Sequence, residues 1–199
     1  MDVSVLICTI PDRNDMFVSL YKRLNDLKSK VSIQIEILYD DALGITIGEK
    51  RNKLLKRATG KYCCFIDDDD GVADTYFTTY ESAINSGMDY DCVMLVGHYY
   101  LNGNFMKPFF HSLKYKSWYD DKDGYYRCPN HLNLIKTDIC RHIGYTQLNF
   151  GEDKDFSERL SESGLIKTEY VHNNLLYLYY KIDVTKPNLL KRKRMGMFF

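Results

Sequence analysis

None of the six cysteines is spaced as a Cys-x-x-Cys pair, so spacing gives no zinc site. Cys8, Cys63, Cys64 and Cys92 fall in apolar runs, where a thiol behaves as a small hydrophobe, and the expected setting is reducing and intracellular. Neither charge is in surplus: 27 basic and 27 acidic residues leave a formal net charge of zero, which gives no global drive toward nucleic acid. No apolar run reaches the ~18 residues a spanning helix needs, and the opening "MDVSVLICTIPDR" lacks the basic segment of a signal peptide. Internal repeats and low-complexity linkers are missing as well. What is present is 199 residues, 45% hydrophobic and 14% aromatic, which suits one globular domain, or a domain with a small appendage, expected to be cytoplasmic and soluble or peripherally membrane-associated.

The first half alternates strand and helix. "VSVLICTI" is a β-branched, almost wholly apolar run of the kind buried in parallel sheets, and Pro11 stops it. Phe17, Leu20, Leu24 and Leu27 then recur at helical spacing. "SIQIEILYDD" alternates as a second strand. A helix follows from about Gly48 to Thr59 with Gly60 as C-cap, and "KYCCFI" is the third strand. Asp74 is the expected cap of a helix through Ser86, and "YDCVMLVGHYY" reads as one further strand. This order predicts an α/β fold with a mostly parallel, Rossmann-like nucleotide-binding sheet over residues 1–100.

From about residue 101 to 180 the pattern is mixed. Asn102-Gly103 between apolar runs signals a hairpin. "HLNLIK", "IKTEYV" and "LLYLYYK" read as strands, Thr137 begins a short helix ending before Gly144, and "GEDKDFSERLSESG" is helical from about Glu152 to Ser163. The segment 184–199 holds Lys186, Lys191, Arg192, Lys193 and Arg194 with no acidic residue. It reads as a solvated terminus, as a contact to an anionic membrane surface, or as a lid over a phosphate.

"YCCFIDDDDGV" raises the functional question. Asp67, Asp68, Asp69 and Asp70 follow a buried strand, and adjacent carboxylates raise one another's pKa unless a cation relieves them. In parallel α/β sheets, ligands bind beyond the carboxyl ends of the strands. "TIPDR", "YDD" and "DDDD" would converge on that rim. An EF-hand fails on spacing: with Gly71 sixth, positions one and twelve are Ile66 and Phe77. Asp68-x-Asp70-Gly71-Val72 resembles the nucleophile motif of haloacid-dehalogenase phosphatases, but two strand–helix units precede it. The third reading is Asp67-x-Asp69 holding Mg²⁺ or Mn²⁺ against a diphosphate, since these cations use one or two carboxylates plus phosphate oxygens.

Three segments in order, "VSVLICTIPDR", "GEKRNKLLKRATGKYCCFIDDDD" and "CPNHLNLIKTDICRHIGYTQLNFGEDKDFSERL", resemble the GT-A fold, family-2-like glycosyltransferases, including compact members from large DNA viruses and bacteria. The resemblance covers roughly residues 3 to 165. It implies a nucleotide-sugar donor, a UDP-sugar, and Mn²⁺ or Mg²⁺ as cofactor. The acceptor is a hydroxyl of a glycan, glycoprotein or glycolipid. It implies that Thr9, Pro11 and Arg13 hold the base, that Asp40 or Asp41 contacts base or ribose, and that Arg51 faces the nucleotide. Asp67 and Asp68 match the ribose and metal side of the motif, and Asp69 the direct metal ligand. Asp153 matches the catalytic base, with Glu152 beside it. Past Gly164 the pattern is lost, and His172 is either a structural histidine or an extra metal ligand.

The chemistry asks for the same groups. Glycosyl transfer passes through an oxocarbenium-like centre. The departing diphosphate gains charge that a Lewis-acidic metal stabilises, and the acceptor hydroxyl needs a carboxylate base on the other face. That combination is inverting single displacement. Trp118, in "SWYDDKDGYY", either lines the acceptor site or packs at a core or interface. His98 reads as structural, and His131 as structural or as part of the acceptor side. The non-catalytic alternative is a nucleotide- or carbohydrate-binding protein that keeps the pocket without turnover.

Overall fold

A computed structural model describes residues 1–183. The basic segment 184–199, with its membrane and lid readings, lies outside the described residues. Strand β1 (Val3–Cys8) leads through a 3-10 turn at Pro11–Arg13 into helix α1 (Asn14–Lys28). Then come β2 (Ile35–Asp40), α2 (Ile47–Arg57), β3 (Tyr62–Phe65), β4 (Gly71–Val72) and α3 (Tyr76–Ile84). The remainder runs β5 (Cys92–Val93), β6 (Leu95–Leu101), β7 (Asn104–His111), β8 (Tyr119–Asp120), β9 (Tyr125–Arg127), β10 (Ile135–Lys136), α4 (Thr137–Ile143), α5 (Glu152–Ser163), β11 (Glu169–Tyr170) and β12 (Tyr177–Lys181).

Two sheets result. The first has the order β11-β5-β10-β3-β1-β2. β1 pairs in parallel with both β2 and β3, as the alternation predicts. The expectation that "YDCVMLVGHYY" is one strand of this sheet is corrected. β5 belongs to the first sheet and β6 to the second, and the antiparallel β10 is inserted between β3 and β5. The second sheet has the order β4-β12-β6-β7-β9-β8, so residues before and after position 101 are interleaved in both sheets. Helix α1 buries Leu20, Leu24 and Leu27 against one side of the first sheet. Helices α2, α4 and α5 cover the other through Leu54, Leu55, Cys140, Phe156 and Leu160.

Local chemistry explains the elements that carry the site. Thr46 caps α2 by accepting from the Glu49 amide at 3.1 Å, a Thr-x-x-Glu start. The buried face of α2, Gly48, Lys50, Arg51, Leu54 and Leu55, follows the 3.6-residue period, which aims two cations inward. Gly48 is required by close approach: a Cβ there would lie 1.8 Å from the Thr146 carbonyl oxygen. The Gly48 amide donates to the Leu148 carbonyl at 3.1 Å, so α2 is sewn to the segment that leads into α5. Asn102 and Gly103 both have positive φ (54° and 83°) and close the β6–β7 hairpin, as their dipeptide predicts. Two caps differ from expectation. α2 ends at Ala58 rather than Gly60, and α3 starts after Thr75, while Asp74 instead accepts from Arg23 at 2.9 Å.

Candidate active site

β1 and β3 end side by side, so Thr9 and the four aspartates emerge on one rim. The aspartate run is a tight turn, closed by the Asp70 amide donating to the Asp67 carbonyl at 3.1 Å. Each carboxylate has its own surroundings. Asp70 is 1% exposed and sealed by β12: it accepts from the Tyr177 hydroxyl at 3.0 Å and from the Tyr180 amide at 2.9 Å. Asp68 is 2% exposed and accepts from Thr9 at 2.8 Å and Arg13 at 2.8 Å. Asp67 meets Arg51 at 3.3 Å, and Asp69 lies 3.9 Å from Arg13. The side chains of Asp67 and Asp69 are 38% and 29% exposed, toward a cleft of about 710 Å³.

These partners set the electrostatics. Burial would raise Asp67, but neighbouring His131 and the Arg51 guanidinium outweigh it and hold this carboxyl well below the usual carboxylate range. Asp68 goes the other way: its burial outweighs Arg13 and Thr9 and raises it. Arg51 stays firmly protonated: burial would lower it, but the groups around it, Asp67 foremost and Glu152 among them, together outweigh that. Cys8 also lines the cleft, but burial pushes its thiol up to about 12, so it is no nucleophile at neutral pH.

Across the cleft stands the start of α5. Arg51, 4% exposed, bridges the two acidic motifs, with Nη2 3.3 Å from Asp67 and Nε 3.3 Å from Glu152. Its guanidinium lies over the Phe65 ring at 4.8 Å and near Tyr145 at 5.6 Å. Glu152 is thereby buried and paired, while Asp153, next along the helix, lines the cleft. The Asp153 carboxylate accepts from the Lys154 amide at 2.8 Å. Asp153 also lines a second cleft of about 440 Å³, shared at Asp67, Trp118 and Tyr179.

The remaining expected residues divide. Thr9, Arg13, Arg51, Asp67, Asp68, Asp69, Glu152 and Asp153 converge on the first cleft. Pro11 shapes the turn after β1 but does not line it, and Asp40, at the end of β2, accepts from the Ala42 amide at 2.9 Å. His172 is not brought to the aspartates. Its Nε2 meets the Met94 carbonyl oxygen at 2.7 Å, and its Nδ1 accepts from the Asn174 amide at 3.0 Å, so both ring nitrogens are engaged elsewhere. That corrects the metal-ligand reading in favour of the structural one. Trp118 and His131 line the second cleft, with His131 Nε2 3.8 Å from Asp67, while His98 packs against Phe105. Lys50 was missed: it is 4% exposed and donates to the Thr9 carbonyl at 2.6 Å, and only its place on the buried face of α2 could have marked it.

The phosphatase arrangement is absent. Asp68 has both carboxylate oxygens engaged, and Asp70 is closed beneath two tyrosines, so neither presents an open nucleophile or acid. Among the described residues, no three His, Cys, Asp or Glu side chains form a metal cage. Asp67 and Asp69 nevertheless offer hard carboxylate oxygens at the cleft, a donor set that fits Mg²⁺ or Mn²⁺ completed by phosphate oxygens and water.

No protein-family model and no curated protein matches the chain. Solved structures do. TarS of S. aureus, residues 1-349 in complex with UDP-GlcNAc, superposes with a TM-score of 0.61 at 14% identity, over 92% of this chain and 59% of that one. The fold is GT-A-like. A further S. aureus TarS structure gives a TM-score of 0.57 at 13% identity, over all of this chain and 39% of that one. The complex of TarS 1-349 with UDP gives 0.52 at 13% identity, over all of this chain and 65% of that one. The chain thus spans less than two thirds of the length of the TarS chains it matches.

Proposed function

We propose that the protein is a metal-dependent, inverting glycosyltransferase that moves a sugar from a nucleotide sugar, a UDP-sugar, to a hydroxyl acceptor. The observation that carries this reading is one cleft with paired, partly exposed carboxylates on one wall and Asp153 at the helix start opposite. The likeness to TarS, solved with UDP-GlcNAc and with UDP, supports the choice of uridine donor.

In this reading Thr9, Ile10 and Arg13 flank the nucleotide, and Lys50 stiffens their loop through the Thr9 carbonyl. Asp69, with Asp67 beside it, holds Mn²⁺ or Mg²⁺, which supplies Lewis-acid stabilisation of the departing diphosphate. Asp153 accepts the acceptor's proton, and Glu152 positions it by anchoring the first turn of α5 to Arg51. The placement of Asp153 on both clefts supports a donor on one side and an acceptor on the other. Arg51 acts behind the nucleotide, as the brace between the two acidic motifs. The acceptor class of this reading is a glycan, glycoprotein or glycolipid, and the segment 184–199 is its proposed contact with an anionic membrane.

Calorimetry of UDP and UDP-GlcNAc with and without Mn²⁺, followed by donor hydrolysis under the same conditions, tests it. Mn²⁺-dependent binding with slow hydrolysis is expected. Binding without turnover toward any hydroxyl would support the non-catalytic alternative. No binding of either uridine ligand would overturn the donor assignment.

A further inference from the structure

The second cleft has a chemistry of its own. Its wall is one face of the second sheet, and the strand register explains why rings gather there. Tyr125, Phe109, Gly97 and Tyr177 are paired across β9, β7, β6 and β12, and Lys107, Tyr99 and Tyr179 form the next row but one. Residues two apart share a face, so these side chains stand together. Gly97 is the gap that lets Phe109 lie flat: a Cβ there would meet the Phe109 ring at 2.0 Å. Tyr99 then packs edge-on to Tyr125 at 5.7 Å and stacks with Tyr179 at 5.5 Å. Trp118 stands opposite, anchored by its indole N–H donating to Ser157 at 3.2 Å. Arg127 lies 5.0 Å from the Trp118 ring and 5.7 Å from Tyr125, donating to the Tyr119 and Tyr126 carbonyls, which holds the walls rigid.

The floor is polar and unfinished. His111 and His131 are each 5% exposed; Nδ1 of His111 and Nδ1 of His131 have no hydrogen-bond partner, while Nε2 of His131 faces the Asp67 carboxylate at 3.8 Å. Buried polar atoms in native proteins are paired, so imidazoles left short of partners at the base of a cleft point to an occupant there. Water would pair with the imidazoles, but it gives no reason for the rings above them. A pyranose accounts for both. Its C–H faces stack on aromatic planes, and its hydroxyls donate and accept, matching an imidazole in either tautomer.

Resting on the glycosyltransferase reading, we infer that the second cleft is an acceptor subsite that holds a sugar residue of a saccharide, stacked between Trp118 and the Tyr99–Tyr125–Tyr179 face and hydrogen-bonded to His111 and His131. The acceptor is therefore a carbohydrate, and the hydroxyl that attacks is the one this clamp turns toward Asp153. The volume of about 440 Å³ lies in the range of small-molecule sites.

Trp118 is the only tryptophan in the chain and lines both clefts, so its fluorescence reports on either, and saturating UDP with Mn²⁺ separates a glycoside response in this cleft from one in the first. A panel of methyl pyranosides and disaccharides is titrated into the protein with and without saturating UDP and Mn²⁺, and UDP affinity is measured separately by calorimetry. A saturable change in emission is expected for at least one glycoside. Tyr125→Ala and His111→Leu should each weaken that response by about tenfold while UDP affinity stays within twofold. Urea unfolding shows that the variants are folded, and Tyr179→Ala, on the open end of the sheet, stands in for a variant that is not. A glycoside response without UDP binding would keep the subsite and overturn only the donor reading. Silence across the panel with UDP binding intact would overturn the subsite, as would a response that all three variants leave unchanged.

Discussion

Arg51→Met should destabilise the protein by about 3–5 kcal/mol at neutral pH, because it leaves a buried carboxylate without its cation. The magnitude follows from unequal parts. Glu152 has a side chain only 6% exposed, and Arg51 is its ion-pair partner. Removing one member of such a pair strands the other in a poorly solvated site, which is the main cost. The Asp67 pair adds less than about 1 kcal/mol, since that carboxylate is 38% exposed and water screens it. Loss of the cation from the faces of Phe65 and Tyr145 adds about 1 kcal/mol, partly offset by the methionine's own packing.

The assay is urea unfolding followed by circular dichroism. With an m-value near 2–3 kcal/mol/M, the midpoint should fall by about 1–2 M without a change in slope. The diagnostic variant is the double one. Glu152→Gln removes the stranded charge, so Arg51→Met/Glu152→Gln should recover a large part of the loss, giving a coupling energy of about 2 kcal/mol or more. A loss below about 1 kcal/mol in Arg51→Met, or a double variant no more stable than the single one, would refute the claim that Arg51 braces the two acidic motifs.

Three other outcomes are expected. Asp69→Ala should weaken Mn²⁺-dependent UDP binding at least tenfold by calorimetry with unfolding unchanged, and unaltered affinity removes Asp69 from the site. Asp153→Asn should slow transfer by about 10²-fold or more with donor affinity nearly intact, and a collapse of donor affinity instead would make it part of the metal site. Burial, with the neighbouring Arg127 charge acting the same way, holds His111 neutral and lowers it to about 3, while the unfolded chain protonates it near 6.5. The unfolded state therefore binds the extra proton between these values, so stability falls as pH drops through that window, by up to about 1.4 kcal/mol per unit from this residue. Unfolding curves at several pH values should show His111→Leu with the shallower slope, and parallel slopes refute the assignment.

Much of the aspartate-lined cleft was legible because its elements are local. A strand followed by aspartates, the 3.6-residue period of α2 and the acid-rich start of α5 are all read within a dozen residues, and the helices lie close to where periodicity puts them. The Asn102-Gly103 turn needs positive φ at two successive positions, which names itself. What was not legible depends on partners far along the chain. The strand read in "HLNLIK" shrinks to the two residues of β10, and its antiparallel place between β3 and β5 is set by those partners. The break at Met94 that sends β6 into the second sheet has no local mark, since the run is apolar on both sides of it. Likewise nothing around Arg51 says that it will meet Glu152, 101 positions later.

Charge balance within the first cleft gives the aspartates a physical reason. Among the described residues that line it, Arg13, Lys50, Arg51, Lys154 and Lys181 face Asp67, Asp68, Asp69, Glu152 and Asp153. Positive and negative side chains are equal in number, so the cleft by itself is no trap for a diphosphate. Its strongest cations are already committed: Arg51 to two carboxylates, Arg13 to Asp68, and Lys50 to a backbone carbonyl. A diphosphate entering this cleft brings charge that these groups cannot neutralise without releasing their present partners. A divalent cation at Asp67 and Asp69 removes the conflict, because it satisfies the carboxylates and the phosphate oxygens at once. The aspartate turn is thus held without ligand by its arginines and tyrosines, while Asp67 and Asp69 keep part of their carboxylate surface on the cleft. UDP affinity should accordingly rise with Mn²⁺ far more than with added monovalent salt, and equal affinity in its absence would mean that the lysines alone carry the diphosphate.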